Sequence, residues 1–281
     1  MIQKIGVVGA GTMGCGIALA AAQYGFSVVL VDINPATIVH AKTQVEKNLD
    51  FLLSKQKITA EEKVIIIDRI VFSSDINDCT AGLIIEAIVE KPEAKTSLFN
   101  QLATINLANT IFASNTSSLS ISLIQKEIPS PDRVVGMHFF NPANVMKLVE
   151  VVMGASTSRS VAETVMDICR QMKKSPVLCN DAPGFIVNRV ARHYYLEAMK
   201  MVEQGVATLE TIDAAMEAAG FKMGPFRLMD LIGMDINYAV SESIYHAFHL
   251  AERFKPSPVQ HEKVTAGELG RKTGKGFYQY S

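Results

Sequence analysis

Residues 4–22 read Lys-Ile-Gly-Val-Val-Gly-Ala-Gly-Thr-Met-Gly-Cys-Gly-Ile-Ala-Leu-Ala-Ala-Ala. A short β-branched run enters a turn carrying Gly9, Gly11 and Gly14, and an alanine-rich segment of strong helical propensity leaves it. In that context the three glycines have separate tasks. Gly9 permits the tight turn, Gly11 lets the backbone approach a pyrophosphate, and Gly14 lets the helix pack close to the strand, with Thr12 and Met13 between them in the first helical turn. Asp32 ends the next apolar run about twenty residues further on, where a carboxylate can accept hydrogen bonds from a ribose diol. Its charge repels a 2′-phosphate, and Ile33-Asn34 brings no arginine to receive one, so NAD is expected rather than NADP.

The alternation continues along the chain. Strands are expected over Lys4 to Val8, Ser27 to Val31, Arg69 to Phe72, Leu83 to Val89, Thr110 to Ser114, Val134 to Phe139, Leu148 to Met153 and Val177 to Cys179. Most are apolar throughout rather than alternating, as strands covered on both faces should be. Pro35 to Asp68 is long for a connection, holds two helical stretches, and carries a Thr59-x-x-Glu62 capping signature where the second begins. It reads as a projecting helical hairpin. After the turn-rich Asn180-Asp-Ala-Pro-Gly184 the strand-like runs stop, and amphipathic helices are expected over Phe185 to Gln204, Leu209 to Ala219 and Pro225 to Phe248. The expected architecture is α/β: a Rossmann-type doubly wound, mostly parallel sheet over residues 1–183, then a smaller all-helical domain over 184–281.

Bulk properties narrow the function. Lys and Arg number 27 against 28 Asp and Glu, so no global field favours nucleic acid or an anionic membrane. The four cysteines, Cys15, Cys79, Cys169 and Cys179, form no Cys-x-x-Cys pair, which suits free thiols in a reducing compartment. No apolar run approaches the roughly 20 residues that span a bilayer, and the first residues run straight into a strand. A cytoplasmic protein is expected.

The stretch Met137-His-Phe-Phe-Asn-Pro-Ala-Asn-Val-Met-Lys-Leu-Val-Glu-Val151 holds the reactive candidates. A histidine beside two phenylalanines is by itself more often a hydrogen-bonded core residue. A bound dinucleotide gives His138 a task, because it falls near the carboxyl end of a strand, where open parallel sheets bind ligands. Oxidising an alcohol with NAD requires its proton to leave as hydride departs, and imidazole is a suitable base. Glu150 can hold the other ring nitrogen, fixing the tautomer and stabilising the imidazolium. His246 and His249 lie one helical turn apart without a third ligand, so no metal site is expected.

Five motifs then stand in one order: Gly9-Ala-Gly-Thr-Met-Gly14, Ser114-Asn-Thr-Ser-Ser118, His138-Phe-Phe-Asn-Pro142 with Met146-Lys-Leu-Val-Glu150, Pro183-Gly-Phe-Ile-Val-Asn-Arg189, and Lys272-Thr-Gly-Lys-Gly-Phe-Tyr278. Together they resemble the L-3-hydroxyacyl-CoA dehydrogenases, most closely the bacterial 3-hydroxybutyryl-CoA type, from end to end. The resemblance implies reversible hydride transfer between C3 of an L-3-hydroxyacyl-CoA and NAD, with His138 as general base and Glu150 as its partner. It implies that Ser117 and Asn188 hold the reacting oxygen, and that Glu90, Lys95 and Asn115 contact the cofactor. As bare sequence, Ser117 is a turn serine capping a helix from Leu119, Asn188 an ordinary helical residue, and Glu90 and Lys95 a solvated helix start. Lys55 and Lys57, on the hairpin, are candidates for the anionic CoA. The apolar stretch Leu228 to Ala239 suggests a homodimer through the helical domain. Two other readings stay open: an L-gulonate dehydrogenase-like sugar-acid oxidoreductase, and a non-catalytic NAD-binding protein of the crystallin kind.

Overall fold

The computed structural model describes residues 2–280. The chain divides into two compact units, Met1–Ala182 and Pro183–Ser281. The first is built on eight strands: β1 (Lys4–Val8), β2 (Ser27–Val31), β3 (Ile70–Ser73), β4 (Leu83–Glu86), β5 (Ile111–Ser114), β6 (Val134–Phe139), β7 (Leu148–Met153) and β8 (Ser175–Asn180). They form one sheet in the order β3-β2-β1-β4-β5-β6-β7-β8. All neighbours are parallel except β6 and β7, which run antiparallel. The strand order reverses beside β1, the switch point where such sheets bind ligands.

Helices cover both faces, which is why the central strands read as unbroken apolar runs. On one face α1 (Thr12–Gln23), α2 (Pro35–Ser54), α3 (Ala60–Asp68) and α6 (Arg159–Gln171) share a core with Ile5, Val7, Val28, Leu30 and Ile85. On the other face lie α4 (Pro92–Ile105) and α5 (Ile121–Gln125), with Phe99 of α4 against Phe112 of β5 at 5.6 Å. Burying a side chain of that size is worth about 1.5–3 kcal/mol. The hairpin of α2 and α3 starts where expected, with the reciprocal Thr59–Glu62 capping box in place. It presses one face, Ala41, Val45, Leu49 and Ile66, into the main core.

Several boundaries differ from the sequence reading. β4 stops at Glu86 instead of Val89, because the Glu86 side chain folds back to accept the Ile88 N–H at 2.7 Å and turns the chain. β8 is longer than expected, starting at Ser175 and ending at Asn180 because each of its residues pairs with β7. The helix after the Ser114–Ser118 loop starts at Ile121, not Leu119, and its N-cap is Ser120.

The second unit is helical: α7 (Val187–Glu203), α8 (Leu209–Ala218), α9 (Pro225–Ile232), α10 (Met234–Ala247) and α11 (Pro258–Thr265). The longer helical region expected over Pro225 to Phe248 is divided into α9 and α10 at Gly233, whose φ of 102° closes α9. Within Leu228 to Ala239, Met229 and Met234 are fully buried, leaving Leu231 and Ile236 half-exposed. The stretch is therefore less exposed than its composition suggests. Two buried carboxylates organise this unit. Asp213 accepts the Phe226 and Arg227 N–H groups at the start of α9, and Asp230 accepts those of Phe277 and Tyr278 at 2.9 Å each. A Cβ on Gly276 would fall on the Asp230 carboxylate, so the Lys272–Tyr278 motif is a strap pinned to α9. Among the described residues no helix is long and apolar enough to cross a membrane.

Candidate active site

β1 delivers the chain into Gly9, whose φ of 97° admits the turn and whose missing Cβ makes room for the Ala87 carbonyl. A Cβ on Gly14 would run into the Gly9 carbonyl, so this glycine sets the closeness of α1 to β1. Gly11 is different: a Cβ there would meet nothing within 4 Å. It faces open space at the first turn of α1, which has no side-chain cap and whose leading N–H groups lack intrahelical acceptors. Thr12 and Met13 follow in that turn, exposed and half-buried respectively. The Asp32 carboxylate accepts the Ala10 N–H at 2.9 Å and the Asn34 N–H at 3.0 Å, so it is locked beside the turn and still has lone pairs for a diol. Gly9, Gly11, Asp32, Ala87 and Leu98 line one cavity of about 600 Å³. Turn, helix end, carboxylate and apolar cavity fit NAD. A larger cavity, about 1090 Å³, lies at the other edge of the sheet around Lys4, Gly82 and Asn106 and gathers none of the predicted residues.

His138 and Glu150 stand directly opposite each other on β6 and β7. That antiparallel register is the physical reason twelve residues of separation become one contact, since paired side chains on one face lie close. Nδ1 of His138 is 2.7 Å from Oε2 of Glu150, and the two residues are 6% and 1% exposed. The ring also packs on Phe140, 4.5 Å between centroids. A carboxylate can only accept, so Nδ1 carries the hydrogen and Nε2 the basic lone pair. Burial pushes the neighbouring Cys179 thiol up to about 11, with the charges of Glu150 and Asp181 adding to it.

Asn115, Ser117, Glu90 and Lys95 meet along the carboxyl edge of β4 and β5. Asn115 accepts the Phe139 N–H at 2.9 Å through Oδ1, tying the β5 loop to the residue after His138. Glu90 accepts the Ser117 N–H at 3.0 Å and the hydroxyl of Thr116. Lys95 is 1% exposed and reaches Glu86 at 2.6 Å and Glu90 at 3.1 Å. The bare-sequence reading of a solvated helix start fails for Lys95, which is buried between two carboxylates, whereas Glu90 pairs with it and stays exposed ahead of the helix. Burial raises the Glu86 carboxyl above its ordinary range against the pull of Lys95, whereas for Glu90 the opposing burial is outweighed by Lys95 and Thr116 and the carboxyl is lowered. Asn188 lies in the first turn of α7, half-buried, and Lys55 and Lys57 stand exposed at the hairpin tip, with Lys55 over the Phe51 ring.

Sequence reasoning passed over Glu86 and Thr116. A signal existed for Glu86: a carboxylate closing the apolar run Leu83-Ile-Ile85 needs a buried partner.

A glycine-turn cradle with its carboxylate, and a buried histidine–carboxylate pair at the same edge of a doubly wound sheet, define an NAD-dependent dehydrogenase. Residues 4–182 match the 3-hydroxyacyl-CoA dehydrogenase NAD binding domain, and residues 184–280 the 3-hydroxyacyl-CoA dehydrogenase C-terminal domain. The chain belongs to the 3-hydroxyacyl-CoA dehydrogenase family. It is 46% identical over 281 residues to the 3-hydroxyadipyl-CoA dehydrogenase of Escherichia coli, covering 99% of this chain and 59% of that protein. It is 39% identical over 289 residues to the mitochondrial hydroxyacyl-coenzyme A dehydrogenase of Rattus norvegicus, covering 100% and 92% of the two chains. The crystal structure of (S)-3-hydroxybutyryl-CoA dehydrogenase from Ralstonia eutropha superposes with a TM-score of 0.95 at 40% identity, covering 100% of both chains.

Proposed function

We propose that this chain interconverts L-3-hydroxyacyl-CoA and 3-ketoacyl-CoA with NAD, the short-chain pair 3-hydroxybutyryl-CoA and acetoacetyl-CoA being its substrates, with His138 as general base and acid. The observation that carries the reading is the His138–Glu150 pair, 2.7 Å apart and buried at the carboxyl edge of the sheet. In the oxidising direction Nε2 of His138 takes the proton of the C3 hydroxyl while hydride leaves C3. Bound NAD supplies the hydride acceptor. Glu150 holds the ring in the tautomer with Nε2 basic and offsets the imidazolium charge that the proton creates. In reverse, His138 returns the proton to the oxygen.

Ser117 and Asn188 orient and polarise that oxygen by hydrogen bonds, while Asp32 holds the ribose diol and the Gly9–Gly14 turn the pyrophosphate. Glu90, Lys95 and Asn115 border the cofactor. Lys55 and Lys57 meet the CoA phosphates, their exposure at the hairpin tip being suited to a mobile anion. The chain acts as a homodimer through residues 184–281, where Ile186, Val190, Phe221, Leu231 and Ile236 are exposed apolar groups. Its four unpaired thiols suit the cytoplasm.

The test is a comparison of substrates on the purified chain. NADH consumption with acetoacetyl-CoA is the expected result. Turnover of L-gulonate with NAD and none of the thioester would favour the sugar-acid reading, and NAD binding without either turnover would favour a structural protein.

A further inference from the structure

Glu86 has no role in the mechanism above, yet both oxygens of its carboxylate are engaged at the carboxyl edge of the sheet. It is 0% exposed. Oε1 accepts the Lys95 ammonium at 2.6 Å and the Ile88 N–H at 2.7 Å, and Oε2 accepts the Ser114 hydroxyl at 2.7 Å. Two paths leave it. Through Lys95, it is joined to Glu90 at 3.1 Å, and Glu90 in turn accepts the Ser117 N–H at 3.0 Å. Through its own carbonyl, it accepts the Asn115 N–H at 2.8 Å, and Asn115 accepts the N–H of Phe139, the residue after His138.

We infer that Glu86 is a positioning residue for the dehydrogenase reaction, fixing the loop that carries Ser117 relative to the strand that carries His138. The inference rests on the reading of Ser117 and His138 as groups around the reacting oxygen. A buried ion pair is a poor source of stability, because desolvating two charges consumes most of their attraction. What it adds is direction: a carboxylate with three donors and an ammonium between two carboxylates tolerate little movement. Placement of that kind matters at a reacting centre, where a misplacement of about 1 Å costs about 10²-fold in rate.

Glu86→Gln keeps the shape and removes the charge. The expected result is acetoacetyl-CoA reduction slowed by about 10²-fold in kcat, with a smaller change in KM. The same substitution made in a Ser117→Ala background should cost little more, because both changes act on one oxygen contact. Since Glu86→Gln leaves Lys95 short of a partner, a second variant, Glu86→Gln with Lys95→Met, removes both charges. It should melt near the parent and still turn over slowly. The inference is overturned if either folded variant stays within about twofold of the parent's kcat, if the Glu86 and Ser117 effects simply multiply, or if neither variant folds, which would make the network a support of the fold alone. A parent chain that fails to reduce acetoacetyl-CoA removes the functional reading first, and this inference with it.

Discussion

Glu150 Oε2 lies 2.7 Å from His138 Nδ1 inside the sheet, and a substitution that keeps its shape separates the carboxylate's charge from its packing. Glu150→Gln preserves the volume. A catalytic partnership predicts turnover lower by about 10²-fold in a protein that still folds, whereas a structural role predicts a lower melting temperature with nearly normal turnover. Asp32 is argued the same way. Asp32→Ser should raise KM for NADH by about 10-fold, the scale of a lost hydrogen bond to a charged group, and narrow the preference over NADPH. An unaltered chain that uses NADPH as well as NADH would contradict the role given to Asp32. The thiols make a third case: burial pushes Cys15 and Cys179 up to about 11 and Cys79 and Cys169 up to about 12. At a pH near 8 the folded protein should react slowly with a thiol reagent such as DTNB at all four, and rapidly only when unfolded. One fast thiol in the folded protein would show that burial does not set their reactivity. At this scale the dyad was legible because both members lie in one quoted motif. Glu86 was not, because its partners, Lys95 and Ser114, become neighbours only when β4, β5 and α4 assemble.

The glycine turn is an element whose conformation can be tested by adding one carbon. In Gly14→Ala the new Cβ meets the Gly9 carbonyl, so α1 must move away from β1. Both the NAD affinity and the melting temperature should fall, as seen by cofactor titration and calorimetry. Normal affinity in a stable variant would mean that helix–strand closeness does not build the cradle. The C-terminal strap offers a pH test. Hydrogen bonds from Lys263 and then Lys275 lower the Glu268 carboxyl to about 2. A depressed carboxyl adds stability above its unfolded value of 4.5 and loses it as pH falls toward 2. Glu268→Gln should therefore melt below the parent at neutral pH, and the difference should shrink as pH falls through that window. A constant difference would mean that the two ion pairs are not its source. Four strands, β1, β2, β6 and β7, were legible to the residue, since each is mainly apolar and carries a pair of adjacent valines. Ends set by a side chain, such as Glu86 at β4, or by a φ only glycine adopts readily, such as Gly233, were not.

At the scale of the whole chain, the sequence announced a sheet-bearing part followed by a helical one because hydrophobic periodicity changes after residue 180, and the units divide between Ala182 and Pro183. Self-association was harder to read: half of the stretch that suggested it is core, and exposed apolar groups are instead dispersed over α7, α9 and α10. Sedimentation at micromolar concentration should still give a dimer, and a monomer would contradict that proposal. The claim on which the rest depends is that this fold brings NAD and a buried histidine base to one hydroxyacyl thioester. It is tested most directly by the rate of NADH-dependent acetoacetyl-CoA reduction in the parent and in His138→Gln, with a melting curve for each. The account predicts turnover in the parent and a loss of about 10²–10⁴-fold in a variant that melts like it. A folded His138→Gln protein within about twofold of the parent's rate, too small a change for a lost general base, would contradict it.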